Sequence, residues 1–245
     1  MKDTLVFDIE TWPETDEVLG RFADPTPEKV AFDPSTVKVG NLKDADKIAA
    51  KIEECRIAHE AEQEEKCDPS KALNKVKEKA CLKGHLGRLY AFGARDDGFV
   101  HEFGQVPAPT PDQERVLLGR LFDIMGNHIS NVGPGAKIAG WNTEGFDIPF
   151  ICQRAILLGV QIPFAVRTPI YYTEWSVDLM TKWSMGRDYV GLGTVAKAMG
   201  IGGKQDLGGK LPWEICVTSP TRAMEYLKRD IELTWEVGRR ILSSL

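Results

Sequence analysis

Leu5-Val6-Phe7-Asp8-Ile9-Glu10 places β-branched and aromatic residues ahead of two carboxylates, the pattern of a strand with acids toward its C-terminal end. Trp12-Pro13 closes that strand, and a loop-rich stretch follows to about Asn41. Apolar positions then return at helical spacing. Ala45, Ile48, Ala49, Ile52 and Cys55 fall on one face between Asp44 and about Lys66, with Lys and Glu opposite, which predicts an amphipathic helix. Asp68-Pro69-Ser70 starts a second helix that runs to about Leu82. The two helices read as a helical hairpin inserted at residues 13–84, either a solvated surface or a cover over a substrate. Leu86–Ala94 and Phe99–Phe103 flank the turn sequence Arg95-Asp96-Asp97-Gly98, so an antiparallel hairpin is expected. Pro111-Asp112 opens a helix through Leu117, Leu121 and Met125, and Lys137–Trp141 is the next strand. Helices from Asp147 to Leu158 and from Leu192 to Met199 bracket a short strand at Ser176–Leu179. A long amphipathic helix from about Pro220 to Leu242 ends the chain, carrying Ala223, Leu227, Ile231, Trp235 and Ile241 on one side. Strands alternating with helices in this order predict an α/β fold, a mixed sheet with helices on its faces, in a single domain spanning 1–245.

Composition narrows the class. With 42% hydrophobic and 27% charged residues, the 245-residue chain has the make-up of a folded globular protein. No apolar run approaches the ~20 residues that cross a bilayer. The first residues lack the apolar core of a secretion signal, so a cytoplasmic protein with no membrane partner is expected. The five cysteines form no C-x-x-C pair and the four histidines show no ligand spacing, which argues against a zinc site or disulfide framework. A net charge of −5 argues against coating nucleic acid through bulk positive charge, but not against an enzyme whose metal ions supply that charge locally.

The acids are the chemistry. Asp8 and Glu10, two apart on a strand, leave the same face and repel unless a cation lies between them. Hard divalent ions such as Mg²⁺ or Mn²⁺ prefer such oxygen ligands. D-x-E alone is common, and a surface strand explains it equally. Asp147 begins a helix after Gly140-Trp141-Asn142-Thr143-Glu144-Gly145-Phe146, where an N-cap role is the plainer reading and a metal ligand the sharper one. Tyr226 and Asp230 lie four apart on the last helix, sharing a face. A core tyrosine beside a solvated acid would look the same. The glycine-rich run with Lys204 and Lys210 is no phosphate-binding P-loop, because Leu211 follows Gly209-Lys210 where Ser or Thr is required; a connector is expected.

Taken in order, these segments resemble the DEDD superfamily of 3′–5′ exonucleases, in its tyrosine subgroup. Phe7-Asp8-Ile9-Glu10-Thr11 is similar to the first motif, Asn142 through Phe146-Asp147 to the N-x-x-x-F-D second, and Tyr226-Leu227-Lys228-Arg229-Asp230 to the Y-x-x-x-D third. The histidine subgroup carries its histidine five residues before the last acid, where this chain has Glu225. The likeness is greatest to proofreading domains of family-B DNA polymerases and their stand-alone relatives, with Val177-Asp178-Leu179 and Gly191–Lys197 similar to the segment between the later motifs.

The resemblance implies a ribonuclease-H-like five-stranded sheet and two divalent metal ions, Mg²⁺ or Mn²⁺, held by Asp8, Glu10, Asp147 and Asp230. It makes Asp8 the bridging ligand and Tyr226 the hydroxyl that orients attacking water, since a phenol of ordinary pKa about 10 positions better than it deprotonates at neutral pH. The implied substrate is a 3′ end of single-stranded DNA, cut to nucleoside 5′-monophosphates, with RNA as an alternative and a separate polymerase or repair machinery as a partner. An inactive module that only binds single strands is a further alternative, disfavoured by the intact acids. Thr11, Trp12, Asn142 and Phe146 adjoin the motifs and are candidates to contact substrate, Trp12 by stacking on a base or simply by core packing.

Overall fold

A computed structural model describes residues 1–97, 101–106, 109–163, 175–203 and 212–244. In chain order these form β1 (Thr4–Pro13), α1 (Asp16–Gly20), α2 (Ala45–Lys66), α3 (Pro69–Ala80), β2 (Gly87–Arg95), β3 (His101–Gln105) and α4 (Pro111–Val132). There follow β4 (Lys137–Gly140), α5 (Asp147–Leu158), β5 (Ser176–Asp178), α6 (Leu179–Ser184), α7 (Leu192–Ala198), α8 (Pro212–Thr218) and α9 (Pro220–Ser243). A single 3₁₀ turn at Pro34–Thr36 lies between α1 and α2. The tip of the expected hairpin, 98–100, and the glycine-rich connector, 204–211, lie outside the described residues.

The five strands are ordered β3-β2-β1-β4-β5, so β1 is central. It pairs antiparallel with β2 and parallel with β4, and β4 pairs parallel with β5. The expected mixed sheet with helices on its faces is therefore the fold observed. Alternation along β1 sends Leu5, Phe7 and Ile9 to one side, where they join Leu117, Leu118 and Leu121 of α4 and Phe150 and Ile151 of α5. Val6 goes to the other side, with Leu192 and Val195 of α7 and Leu227 and Ile231 of α9. Asp8 and Glu10 share the Val6 face by the same alternation. Beyond Glu10 the register slips: Glu10 pairs with Ala91 but Thr11 with Leu89, leaving Tyr90 as the extra residue of a bulge.

By its internal contacts the chain divides into two compact units, Met1–Glu14 with Lys79–Leu245, and Thr15–Glu78. The sheet and all the acids discussed above belong to the first. The second occupies most of the stretch read as an insertion. Asp44 caps α2 there, its Oδ1 accepting from the amides of Asp46 and Lys47 at 3.0 and 3.4 Å. The amphipathic face expected on α2 does not form a core face: the helix has no buried residue. Its surface carries ion pairs one turn apart, with Arg56 between Glu53 and Glu60 at 2.5 Å each and Lys66 on Glu62 at 2.5 Å. Such a helix is held by its own charges more than by packing. Among the described residues no helix is long and apolar enough to cross a membrane.

Candidate active site

Asp8 pairs across the sheet with Gly93 of β2, and opposed residues of an antiparallel pair share a face. A Cβ built on Gly93 would stand 2.8 Å from Phe103 Cε1 and 3.0 Å from Ile231 Cγ1, so α9 lies directly on this part of the sheet. Ile231 follows Asp230, which is only 2% exposed. The absent side chain at Gly93 thus lets the helix bearing Asp230 settle on the face that carries Asp8. Gly93→Ala is expected to cost about 1–3 kcal/mol through overpacking and to lower turnover by displacing α9. Urea midpoints and initial rates on the same preparation would check it; wild-type stability would remove the close approach from the account.

Asp147 arrives from the opposite direction. β4 ends at Gly140, and Asn142 turns the chain with φ of +64°, a left-handed conformation that asparagine tolerates better than most residues. Its carbonyl accepts from the amides of Gly145 and Phe146 at 3.1 and 2.9 Å. The helix cap is Phe146, with no side-chain cap bond, and Asp147 is the first residue of α5. Its carboxylate therefore does not cap the helix, the plainer role open to it from sequence. It is 2% exposed, and its Oδ1 has no hydrogen-bond partner among the described residues. Burial holds the Asp147 carboxyl well above its ordinary value, and the charge of Asp8, then that of Glu10, pushes the same way against the amides of Asp147 itself and of Ile9. Both of those acids therefore act on Asp147.

Glu10, 7% exposed, is set among thiols and rings. Burial pushes Cys81 up to about 12, with a small addition from Glu10, and acts the same way on Cys216 and Tyr90. All five cysteines are free and show no disulfide. Asp8 opens onto a cavity of about 620 Å³, shared with Trp141, Asn142, Met180, Thr194 and Thr234. Thr234, one turn beyond Asp230 on α9, escaped the sequence reading; its only signal is that spacing. Asp178 is a structural acid: it caps α6 through the amides of Met180 and Thr181 at 2.9 and 3.1 Å and receives the Glu144 amide at 3.1 Å. That last bond ties the loop before Asp147 to β5.

The candidate substrate contacts divide. Asn142 lines the cavity beside Asp8. Thr11 is 8% exposed and its hydroxyl donates to the Cys81 carbonyl at 2.8 Å. Trp12 stacks on Tyr90, ring centres 5.5 Å apart, and Phe146 tilts against Phe150 at 5.6 Å. Both rings are partly buried. Tyr226 is half-buried on α9, one turn before Asp230.

Whether a cation suits this site turns on the donors. They are hard oxygens, one of them buried with an unsatisfied atom and crowded by two like charges, an environment that a divalent ion relieves. Among the described residues no three His, Cys, Asp or Glu side chains stand close enough to hold an ion as they are. Carboxylates that repel one another do not close up without one.

Residues 94–241, more than half of the chain, match the family model described as "Predicted 3'-5' exonuclease related to the exonuclease domain of PolB". The match takes in Asp147, Tyr226 and Asp230 and begins after β1, the strand that carries Asp8 and Glu10. No curated protein matches the chain. Among solved structures, the family B DNA polymerase of the hyperthermophilic archaeon Pyrobaculum calidifontis matches with a TM-score of 0.52 at 17% identity, over 98% of this chain and 24% of the polymerase. The chain thus spans about a quarter of that protein, and what is shared is the ribonuclease-H-like fold of a polymerase exonuclease. By the extent of its family match, the chain belongs to the predicted 3′–5′ exonucleases related to the exonuclease domain of PolB.

Proposed function

We propose that this exonuclease removes nucleoside 5′-monophosphates from the 3′ ends of single-stranded DNA, with Asp8, Glu10, Asp147 and Asp230 holding two divalent ions, Mg²⁺ or Mn²⁺. The observation that carries this reading is the buried, incompletely bonded carboxylate of Asp147 beside the charges of Asp8 and Glu10. A cluster of that kind costs stability unless it is used. Such ions, when bound, activate water and neutralise charge on the phosphate being cut. The chain's own contribution is orientation. Central β1 fixes Asp8 and Glu10, α5 presents Asp147 at its first residue, and α9 brings Asp230 with Tyr226 one turn before it. As in the tyrosine subgroup of this superfamily, Tyr226 would orient the attacking water through its hydroxyl. The cavity at Asp8 receives the terminal nucleotide, with Asn142 on its wall. The partner is then a 3′ end presented by a separate polymerase or repair machinery.

The test is digestion of matched single-stranded DNA and RNA labelled at the 5′ end, in Mg²⁺, Mn²⁺ or EDTA. A metal-dependent ladder shortening from the 3′ end supports the reading, and faster loss of RNA would reassign the substrate. No ladder with either metal on either strand would overturn it. Tyr226→Phe removes only the hydroxyl and should lower kcat about tenfold to a hundredfold with KM little changed. Equal loss of kcat and metal affinity would instead make the tyrosine a support for Asp230.

A further inference from the structure

The loop between α6 and α7 leaves large apolar side chains in solvent. Met185 is 77% and Tyr189 61% exposed, and Trp183, at the end of α6, is 38% exposed. Single exposed apolar residues are ordinary, but three within seven positions mark a surface that something covers. Arg187, exposed between Met185 and Tyr189, is paired with no carboxylate among the described residues. Met185, Gly186 and Asp188 take left-handed φ of +50°, +79° and +49°. The amides of Gly186 and Arg187 donate to the carbonyls of Thr181 and Ser184 at 3.3 and 2.9 Å, which turns the loop tightly off the helix. It then runs into the cavity at Asp8. Residues 191–194 line that cavity, and they begin two residues after Tyr189, about 7 Å of extended chain. The Trp141 indole, on the same wall, donates to the Val190 carbonyl at 3.1 Å and so ties the end of the loop to the turn that carries Asn142.

A chain of net charge −5 has little bulk positive charge with which to hold a polyanion. Stacking on an aromatic face holds a base of any sequence without such charge. An arginine beside the ring adds a phosphate contact where the strand needs one. We infer that residues 185–189 carry the single strand behind its 3′-terminal nucleotide, with Tyr189 stacking on a base and Arg187 engaging a phosphate. The inference rests on the proposed reaction for which end of the strand enters the cavity, and not for the contact itself.

Two measurements on the whole chain test it. One is the affinity for an oligothymidylate labelled at its 5′ end, by fluorescence anisotropy in EDTA, where metal-dependent cutting is off. The other is hydrolysis in Mn²⁺ of the 4-nitrophenyl ester of thymidine 5′-monophosphate, a substrate with no strand behind its nucleotide. Tyr189→Ala should weaken oligomer binding about tenfold, and Tyr189→Phe, which keeps the ring, should retain it. Arg187→Ala should make the fall of log affinity with log salt shallower by about 0.7, the share of one single-strand phosphate. Both side chains are exposed, so circular dichroism should show an unchanged fold, and hydrolysis of the ester should match the parent's in all three variants. Failure of the parent to cut the ester or any strand would sink the proposed reaction, and the anisotropy comparison would still decide the loop. Unchanged binding by Tyr189→Ala would overturn the inference and leave the loop to a protein partner. Absence of oligomer binding by the parent, a Tyr189→Phe loss equal to that of alanine, an unchanged salt slope, or slower ester hydrolysis in the variants would overturn it as well.

Discussion

Asp8→Ala is expected to reduce hydrolysis by at least about a thousandfold while leaving the metal-free protein as stable as the parent or more so. The two effects share one cause. Asp8 is half-exposed on β1, so its removal empties no core. Its charge is, after burial, the largest influence holding the Asp147 carboxyl above its ordinary value of 3.8. An acid whose pKa is raised by folding binds its proton more tightly in the folded state. Stability from this group is then full at pH below about 4 and declines as pH rises through the raised, folded value. Asp8→Ala lessens the repulsion, so its metal-free unfolding free energy should fall less steeply with pH, with a gain of about 1 kcal/mol at pH 8. Saturating Mg²⁺ or Mn²⁺ should reverse the ranking. At 100 times its Kd an ion stabilises by about 2.7 kcal/mol, and only the parent should receive that in full. Melting temperatures with EDTA and with metal, beside single-turnover rates, decide it. Undiminished hydrolysis by Asp8→Ala, or equal stabilisation of both proteins by metal, would remove Asp8 from the site.

The candidate acids were legible in sequence when much of the surrounding structure was not. Carboxylates at Asp8, Glu10 and Asp147 do nothing for the core, so only the spacing of their motifs accounts for them. The strands and long helices were legible because alternation along Leu5–Ile9 and the repeat from Ala223 to Ile241 mark buried faces. Repeats mislead where nothing covers them: α2 has apolar residues at helical spacing, yet none is buried. Short elements gave less. α6 runs directly on from β5 with Asp178 as its cap, and its start reads as the end of the strand. The bulge after Glu10 depends on β2 lying alongside. Contacts of that kind have no local pattern.

The clearest such contact predicts the largest loss of stability. Arg154, on α5 two turns beyond Asp147, is 3% exposed and donates through Nε and Nη2 to both oxygens of fully buried Glu114, each at 2.7 Å. Nη2 also reaches Glu14 at 3.1 Å and Nη1 the Gly84 carbonyl at 3.0 Å. Glu114 accepts the Leu89 amide at 2.8 Å, and Arg88 holds the far oxygen of Glu14 at 2.6 Å. Burial works against the Arg154 charge, but the Glu114 and Glu14 carboxylates outweigh it and hold its pKa above the ordinary value. Arg154→Ala strands the Glu114 carboxylate with a single amide donor, and loss of one partner from a buried pair costs about 3–5 kcal/mol. Arg154→Lys should recover little, because an ammonium cannot serve two oxygens of one carboxylate and Glu14 together. Arg154→Met with Glu114→Leu should be far milder than either change alone, since no unpaired charge is then left buried and Glu14 keeps Arg88. Denaturant unfolding of the four proteins closes a double-mutant cycle, and additive losses would mean that the pair does not act as a unit. The network joins α5 to the residue that follows β1 and to the start of β2. The same experiment therefore asks whether the helix bearing Asp147 is held to the strand bearing Asp8 by charge: folded Arg154→Lys should show lower kcat in proportion to its lost stability, whereas full turnover would leave the network a purely structural clasp.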